Sequence, residues 1–447
     1  MTDPTRSGEA WRDRAFLGAT IVCTAVLCAV LYSSVLDAPF TFDDHGALVD
    51  NPSVRWDKIE PQKVIRTLLL PYNRRPVANL TFALNYYFHR YEVFGYHAVN
   101  VAVHFANGLL VYALALVTLR RFRRLSGQRG PGLSRDAVRV GAFFASLLFV
   151  AHPLQTQSVT YVVQRMNSLA ALFYLSSLLL YIHGRDHTDH RTRVRWFVAA
   201  GVSGLLAVGS KQNAITLPVA IWFYEAFFYR DLDRAWLIRS AMRLGAPLLL
   251  GACALYYIIV WGPDFGYLRR DFGMGERLLT QPRVVMLYIG LIALPLPSRL
   301  NLMHDIETST SLFSPPTTAI AMFALLALVA AGLRLAPQHR LWSFGVLWFF
   351  LHLVVESTIL PLEMVFEHRT YLPLVGVMVA AGGAVGMLRD RTPRVAWTAA
   401  MVCVALLGVG TFLRNQDWQD NFILWADIAA KSPQMARAHG NRGQAYQ

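Results

Sequence analysis

The sequence predicts an all-α integral membrane protein with about eleven transmembrane helices. Hydrophobic residues make up 55% of the 447 residues and charged residues only 16%, whereas soluble domains carry about 25% charged residues. The apolar residues are concentrated in runs of about 20, the length of helix that crosses a hydrocarbon core about 30 Å thick. Because lipid offers no hydrogen-bond partner to the backbone, each run must satisfy its own polar groups, as an α-helix does.

The positively charged residues indicate which ends of these helices face the cytoplasm. The formal net charge is +14, and most arginines lie in short segments between apolar runs, as the positive-inside bias requires. The segment with Arg120, Arg121, Arg123 and Arg124 is the strongest marker. Since membrane topology accounts for this charge and no basic stripe with interleaved aromatic residues is present, we expect membrane lipids, and no nucleic acid, as partners.

The first apolar run, about 15–36, follows Arg6, Arg12 and Arg14. It is too long for the core of a signal peptide, so we expect an uncleaved helix with a cytoplasmic N-terminus. The other predicted spans lie near residues 97–118, 139–155, 163–183, 195–210, 212–229, 243–261, 317–335, 342–359, 371–388 and 395–413. Their odd total places the C-terminus on the outer face.

Two longer segments are predicted to lie on the outer face. The first outer loop, about 37–96, contains apolar residues at helical spacing and is expected to form amphipathic helices on the membrane surface. The section 262–315 contains an apolar piece, 284–296, that is shorter than a normal span and interrupted by Pro295 and Pro297. We interpret it as re-entrant, because a full span would place the later arginine clusters outside.

The chain divides into a membrane domain, 1–413, and a soluble helical tail, 414–447. Phe422, Trp425 and Ile428 fit one face of a tail helix, and Ser432–Pro433 ends it. The proline followed by Gly443 and Tyr446 is typical of the start of a tetratricopeptide repeat. Isolated repeats cannot bury their apolar faces, so the tail is expected either to pack on the membrane domain or to continue into further repeats.

The clearest chemical feature is Asp43–Asp44–His45, directly after the first helix. A carboxylate at this position can deprotonate an acceptor hydroxyl or hold a divalent cation against a phosphate. A helix cap or a solvated loop is the structural alternative, and the sequence leaves a metal requirement open. The four cysteines all lie in apolar runs and have no metal-binding or disulfide spacing.

Three further polar groups are predicted at outer turns. His152, Gln164 and Arg165 border one turn, and the guanidinium of Arg165 suits a phosphate through its bidentate geometry, although a snorkelling arginine fits equally well. Lys211 lies in the next outer turn, where it could pair with a lipid phosphate. The remaining candidates are Glu367, His368 and Arg369, before the helix at 371, and more weakly His304 and Asp305.

Taken together, the motifs resemble the glycosyltransferases of the GT-C fold, and most closely the transmembrane-and-tetratricopeptide-repeat (TMTC-like) O-mannosyltransferases and their bacterial relatives. The resemblance covers nearly the whole chain. The motifs that carry it are Phe42–Asp43–Asp44 with Asn51–Pro52, Arg75–Pro76 through Leu84–Asn85–Tyr86, Gly95–Tyr96–His97 with Val99–Asn100 and His104, His152–Pro153 with Ser158–Val159 and Gln164–Arg165, Lys211 with Thr216–Leu217–Pro218, and Phe366–Glu367–His368–Arg369 with Tyr371–Leu372–Pro373.

The resemblance implies transfer of a hexose, such as mannose, from a polyprenyl-phosphate donor to a protein or glycan hydroxyl outside the cytoplasm, in a bacterial inner membrane. It implies that Asp43 and Asp44 are the catalytic residues of the first outer loop, Asp43 as the base and Asp44, in place of a glutamate, as its helper. It also implies that Arg165, Lys211 and Arg369 bind the donor phosphate. No cofactor is required by it. Further pocket candidates are His45, Arg75, His97, His152, Gln164, His304, Asp305, Glu367 and His368.

Two departures from the family pattern bear on this assignment. Many bacterial relatives have an acidic residue where this chain has Gln157, and the repeat array is nearly absent, so the acceptor is left open. Two other functions stay open from the sequence: a transporter or flippase of lipid-linked sugars, and a membrane-anchored repeat scaffold. A transporter usually carries ionisable residues at mid-membrane and an internal repeat of spans, and neither is clear here.

Overall fold

The computed structural model describes residues 4–69, 75–127, 132–243, 245, 251, 267 and 270–445, with side chains from residue 9 onward. Every regular element in these ranges is helical, which confirms the all-α prediction. The α-helices are α1 Pro4–Leu31, α2 Pro61–Leu69, α3 Pro76–His89, α4 Val93–Gly127, α5 Arg135–Ala151, α6 Thr156–Val159, α7 Arg165–Asp186, α8 His190–Ser210, α9 Leu217–Phe228, α10 234–243, α11 Met274–Ala293, α12 Thr317–Arg334, α13 Arg340–Leu353, α14 Tyr371–Arg391, α15 Pro393–Gln416, α16 Asn421–Lys431 and α17 Ala436–Ala445.

Six helical segments among the described residues are long and apolar enough to cross a membrane. They are built on α1, α4, α7, α12, α14 and α15, and a seventh is formed if α5 and the helix after it, bent by 54°, make one broken span. The predicted total of eleven is not confirmed, because α9 and α13 have only 12 and 14 residues. The predicted helix at 243–261 lies almost wholly outside the described residues.

The outer section differs from its predicted form. Residues 284–293 of the expected re-entrant piece, 284–296, belong to the 20-residue helix α11, which begins ten residues earlier and continues through Pro282. The helix ends at Ala293, directly before Leu294 and Pro295. A residue that precedes proline is disfavoured in the helical conformation, which explains this end.

Helix α5 forms the centre of the protein, since every residue from Ala137 to Ala151 is buried. A helix that is apolar and buried on all sides requires neighbours all round it, and α5 packs against α1, α4, α14 and α15. Its contact with α14 is close enough that a Cβ atom on Gly141 would lie 2.5 Å from the carbonyl oxygen of Gly382. Small residues allow such close packing between membrane helices.

The α5–α14 pair is antiparallel. The start of α5 meets the end of α14, where a Cβ on Gly386 would contact the carbonyl of Ala137. The end of α5 therefore lies beside the start of α14. This arrangement brings the turn after His152 next to the turn 367–370, and the amide N–H of His368 donates to Oε1 of Gln157 at 2.7 Å.

Helix α4 extends from one end of the bundle to the other. Near its start, Tyr96 packs edge-on against Phe40, with ring centroids 5.2 Å apart. Towards its end, Arg120 forms a 2.9 Å ion pair with Asp13 of α1. At 1.5 Å per residue, the 24 residues between Tyr96 and Arg120 span about 36 Å, enough to cross a hydrocarbon core. The loop around residue 40 and the arginine-rich helix ends thus lie at opposite ends of the bundle.

We predict that Gly141→Ala destabilises the fold by about 1–3 kcal/mol, because the added methyl group would overpack the α5–α14 contact. Gly201→Ala is the matched control, since nothing lies within 4 Å of its Cβ position, and alanine is preferred to glycine in a helix by about 1 kcal/mol. Thermal unfolding in detergent should show a lower midpoint for the first variant only. Equal midpoints would contradict the contact.

Candidate active site

The loop that carries Asp43 is fixed by its neighbour Asp44. The Asp44 carboxylate is buried and accepts hydrogen bonds from the backbone N–H groups of Thr41 at 3.0 Å and of Val163 at 2.7 Å. Phe42, between them, has a φ of 48°, a left-handed conformation that is costly for a bulky residue. Burial raises the pKa of Asp44 to about 7, partly offset by the two N–H groups. Asp44 therefore anchors the loop.

Asp43 points the other way and is exposed. Its backbone N–H donates to the hydroxyl oxygen of Tyr161 at 2.8 Å. Partial desolvation raises the pKa of Asp43 above its usual range, while Tyr161, Arg437 and Arg75 oppose the shift. A carboxylate held in this way is both accessible and more basic than an ordinary aspartate, as a general base should be.

Asp43 lies in a cavity of about 340 Å³, here called the first cavity. Its wall is formed by seven separate parts of the chain, including the loop at 42–43, the start of α3, the turn after α8 and the segment 355–369. The charged lining residues among those described are the cations Arg75, Lys211, Arg270, Arg369 and Arg437 and the carboxylates Asp43, Glu356 and Glu363. Residues scattered over the sequence thus converge on one site.

Lys211 is buried in the wall of the first cavity and paired with Glu356 at 2.8 Å. Its ammonium group also donates to Asn167 at 3.0 Å, and Asn213 donates to Glu356 at 3.0 Å. Burial lowers the pKa of Lys211, although Glu356 opposes the shift. The pKa of Glu356 is also lowered: burial would raise it, but Lys211 and Arg369 outweigh that effect. The 2.8 Å contact between them is the geometry of an ion pair.

Arg369 presents a different kind of cation to the first cavity. Its guanidinium donates to the carbonyl oxygens of Met364 at 3.0 Å and Glu363 at 2.7 Å and lies near the ring of Phe366. Within the described ranges it forms no salt bridge. Carbonyl groups orient a guanidinium without cancelling its charge, so Arg369 keeps a net positive charge at the cavity wall, as a phosphate ligand requires.

Arg165 does not fit the predicted role of a donor-phosphate ligand. The side chain is fully buried, and its donors are bound to Asn100 at 2.6 Å, to Tyr96 at 3.0 Å, and also to Asn85 and Thr81. The bonded groups come from α3 and α4, so Arg165 fastens these helices to the start of α7. The sequence predicts this residue at the membrane boundary. It could not show that buried oxygen atoms of the protein accept hydrogen bonds from its guanidinium.

The other predicted residues fall into three groups. Arg75, Gln164 and His368 line the first cavity with Asp43, Lys211 and Arg369. His97 and His152 are buried away from it, hydrogen-bonded to the carbonyl oxygens of Ala38 and Ile292 at 3.0 and 3.2 Å.

The residues of the third group do not line the first cavity. His304 pairs with buried Glu367 at 2.8 Å, while the backbone N–H of Asp305 donates to Ser432. His45 lines a second, adjoining cavity. No group of three or more His, Cys, Asp or Glu side chains in the described ranges is arranged to hold a metal ion.

Sequence reasoning missed Glu356, Glu363, Arg270 and Arg437. Glu356 was assigned to a span at 342–359, and an acidic residue inside an apolar run is a usable signal for a functional site. The helix ends at Leu353, so Glu356 lies beyond it. Arg437 had no such signal, because only the three-dimensional packing of the tail brings it to the cavity.

The chain is similar to curated protein O-mannosyl-transferases. Tmtc3 of Drosophila melanogaster is 29% identical over 261 residues, which cover 52% of this chain and 28% of that protein. A protein O-mannosyl-transferase of Caenorhabditis elegans is 24% identical over 438 residues, covering 94% and 58%. TMTC4 of Homo sapiens is 24% identical over 469 residues, covering 94% and 62%.

These relatives confirm the resemblance to the TMTC-like proteins. The chain spans less than two thirds of the length of each of them. No protein-family model matches the chain. Among solved structures, ArnT from Cupriavidus metallidurans bound to undecaprenyl phosphate is 15% identical, with a TM-score of 0.41 over 92% of this chain and 70% of that one.

We predict that Lys211→Met and Glu356→Gln each destabilise the protein by about 3–5 kcal/mol, because each leaves a buried charge without its partner. The double variant should be less destabilised than the sum of the two, as expected for groups in direct contact. Asp57→Asn, at an exposed ion pair with Arg90, should cost less than about 1 kcal/mol. Thermal unfolding in detergent measures all four, and strict additivity would contradict a direct pair.

Proposed function

We propose that this protein is a membrane glycosyltransferase that moves a hexose from a polyprenyl-phosphate donor to a hydroxyl group of a protein or glycan. The observation that carries the proposal is that Asp43, an accessible carboxylate of raised pKa, shares one cavity with Arg75, Lys211 and Arg369. Mannose is the proposed sugar, because the similar proteins are named O-mannosyl-transferases. A transfer of this kind requires a base and a site for an anionic leaving group.

The cations of the first cavity are proposed to hold the donor phosphate. Arg369 has two oriented N–H groups on neutral carbonyls, and Arg75 approaches the same cavity from the start of α3. Charge-assisted hydrogen bonds from arginine are short and about twice as strong as neutral ones. Lys211 lines the same cavity, but its charge is balanced by the ion pair with Glu356. We therefore expect Lys211 to contribute less to phosphate binding than Arg369 and Arg75.

The proposed reaction forms one bond and breaks one bond at the sugar C1 atom. The acceptor hydroxyl oxygen attacks C1, its proton passes to the Asp43 carboxylate, and the bond from C1 to the phosphate oxygen breaks. The polyprenyl phosphate leaves with the bonding electron pair, and its added negative charge is stabilised by Arg369 and Arg75. Attack opposite the leaving phosphate would invert the configuration at C1, as the resemblance to this enzyme group implies.

We place the first cavity on the non-cytoplasmic side of a bacterial inner membrane. The arginine-rich ends of α4 and α5 lie at the other end of the bundle from the Asp43 loop, and such clusters mark the cytoplasmic side. The N-terminus, whose Asp13 pairs with Arg120 and Arg139, would then be cytoplasmic. Eleven spans in a GT-C-like arrangement and an outer C-terminus complete this proposal.

Asp43→Asn should reduce sugar transfer by about 10²- to 10⁴-fold, the usual contribution of a general base, with the folded protein and donor affinity retained. Transfer is measured from polyprenyl-phosphate mannose in detergent or proteoliposomes. Asp50→Asn is the matched control, because Asp50 is exposed on the same loop and does not line the first cavity. Undiminished transfer by well-folded Asp43→Asn would refute the assignment.

The pH profile tests the environment of Asp43 separately. The base acts only when ionised, so kcat/KM should rise with pH as Asp43 loses its proton. Because desolvation raises the pKa of Asp43, the midpoint of this rise should lie above about 3.9, the value for an ordinary aspartate. A midpoint at or below that value would show that the carboxylate is not desolvated in the working enzyme.

A further inference from the structure

A cavity of about 700 Å³ lies at the end of the bundle opposite the Asp43 loop, where the start of α1, the end of α4 and the start of α5 meet. Two carboxylates, Glu9 and Asp13, line this basic cavity. Five cations among the described residues outnumber them: Arg120, Arg123, Arg124, Arg135 and Arg139. None of these groups takes part in the proposed transfer reaction, so their concentration in one cavity requires another explanation.

Both carboxylates of the basic cavity are held by three of its arginines. Asp13 pairs with Arg120 at 2.9 Å and with Arg139 at 2.7 Å. Glu9 pairs with Arg135 and, at 3.3 Å, with Arg139. These ion pairs join α1 to α4 and α5. They therefore fix the wall of the cavity, and they also neutralise the two carboxylates that would otherwise repel an anion.

Arg123 and Arg124 carry the positive charge that remains in the basic cavity. Arg123 is half-buried and Arg124 is exposed, and neither forms a salt bridge with another residue in the described ranges. Two neighbouring cations repel each other, and an anion bound to both would remove that repulsion. Because a guanidinium can bind a phosphate through two parallel hydrogen bonds, the cavity has the charge and the donors for a ligand that carries a phosphate.

The position of the basic cavity favours a lipid headgroup over a dissolved anion. Helices α1 and α4 are both long and apolar enough to cross a membrane, and the cavity lies at their ends, at the level of the headgroups. Leu17 and Ile21, one and two turns beyond Asp13 on α1, are 45% and 39% exposed. Residues at this spacing share one helix face, so the acyl chains of a lipid bound in the cavity would meet apolar surface.

We propose that the basic cavity binds the headgroup of an anionic phospholipid in the leaflet opposite the Asp43 loop, with Arg123 and Arg124 as ligands of its phosphate. Basic pockets between membrane helices are suited to such headgroups. The bound lipid joins the ends of α1, α4 and α5 and stabilises this end of the bundle. The site is independent of the proposed function, because neither arginine lines the first cavity.

Phosphatidylglycerol binding to the full chain tests this site. In a neutral detergent, native mass spectrometry counts the lipid molecules bound at each phosphatidylglycerol concentration. The double variant Arg123→Gln with Arg124→Gln should bind the first molecule about 30-fold more weakly, since each arginine near an anionic lipid contributes about fivefold. Without added lipid, its midpoint of thermal unfolding should equal that of the parent, because neither side chain forms a salt bridge in the described ranges.

The matched control is Arg193→Gln with Arg195→Gln, near the start of α8. Helix α8 follows α7 closely, and the end of α7 is joined to α4 by the ion pair of Arg121 with Asp186, so the control arginines lie at the same end of the bundle. They match the two cavity arginines in exposure but do not line the basic cavity. Phosphatidylglycerol binding should therefore change less than threefold. A loss equal to that of the first variant would indicate general attraction to basic residues and would overturn the site.

Two further measurements use the unchanged chain. Phosphatidylglycerol should raise the midpoint of thermal unfolding more than phosphatidylcholine, whose headgroup has no net charge, and an equal concentration of inorganic phosphate should not displace it. Equal shifts by the two lipids, or equal phosphatidylglycerol affinity in the parent and the Arg123–Arg124 double variant, would overturn the inference. Displacement by inorganic phosphate at equal concentration would overturn the lipid assignment in favour of a dissolved anion.

Discussion

The arrangement of the site depends on one buried carboxylate that accepts two backbone N–H groups. Asp44 joins the loop at Thr41 to the turn at Val163, two segments more than a hundred residues apart in the chain. Leaving a buried N–H without its acceptor costs about 1–3 kcal/mol, so the bonds oppose any separation of loop and turn. They also keep Phe42 in its unfavourable conformation and hold the Asp43 carboxylate beside Tyr161. Two adjacent aspartates thus have opposite roles because they face opposite sides of one loop.

A second constraint extends from the centre of the bundle to the same site. The glycine contact between α5 and α14 fixes the axial position of one helix relative to the other. A polar turn follows α5, and another polar turn precedes α14. Through the bond from His368 to Gln157, a backbone contact deep in the protein fixes the turn that carries Arg369. Gln157 accepts this hydrogen bond through the oxygen of its neutral side-chain amide.

The sequence predicted the all-α fold, most helix positions and five of the seven segments that meet at the first cavity, because each leaves a local signal. Apolar runs mark helices, and polar residues at the ends of those runs cost free energy unless they form hydrogen bonds or ion pairs or bind a ligand. The sequence could not predict which cations keep their charge available. Arg165 and Arg369 have the same local pattern, at the start of a helix after a polar turn. Both guanidinium groups donate to neutral oxygen atoms, but Arg165 is enclosed among α3, α4 and α7 and does not line the first cavity, whereas Arg369 does.

The balance of charge in the first cavity decides what can bind there. Glu356 forms an ion pair with Lys211 in the cavity wall, and Glu363 forms ion pairs with Arg270 and Arg437. Arg369 lines the same wall and forms no salt bridge among the described residues, although Glu356 is near enough for the two charges to interact. Attraction between opposite charges in a partly buried site at an effective dielectric of about 20 amounts to about 4 kcal/mol at 4 Å, while the same phosphate would be repelled by Asp43. A donor phosphate thus favours the Arg369 end, leaving the space beside Asp43 to the neutral acceptor hydroxyl.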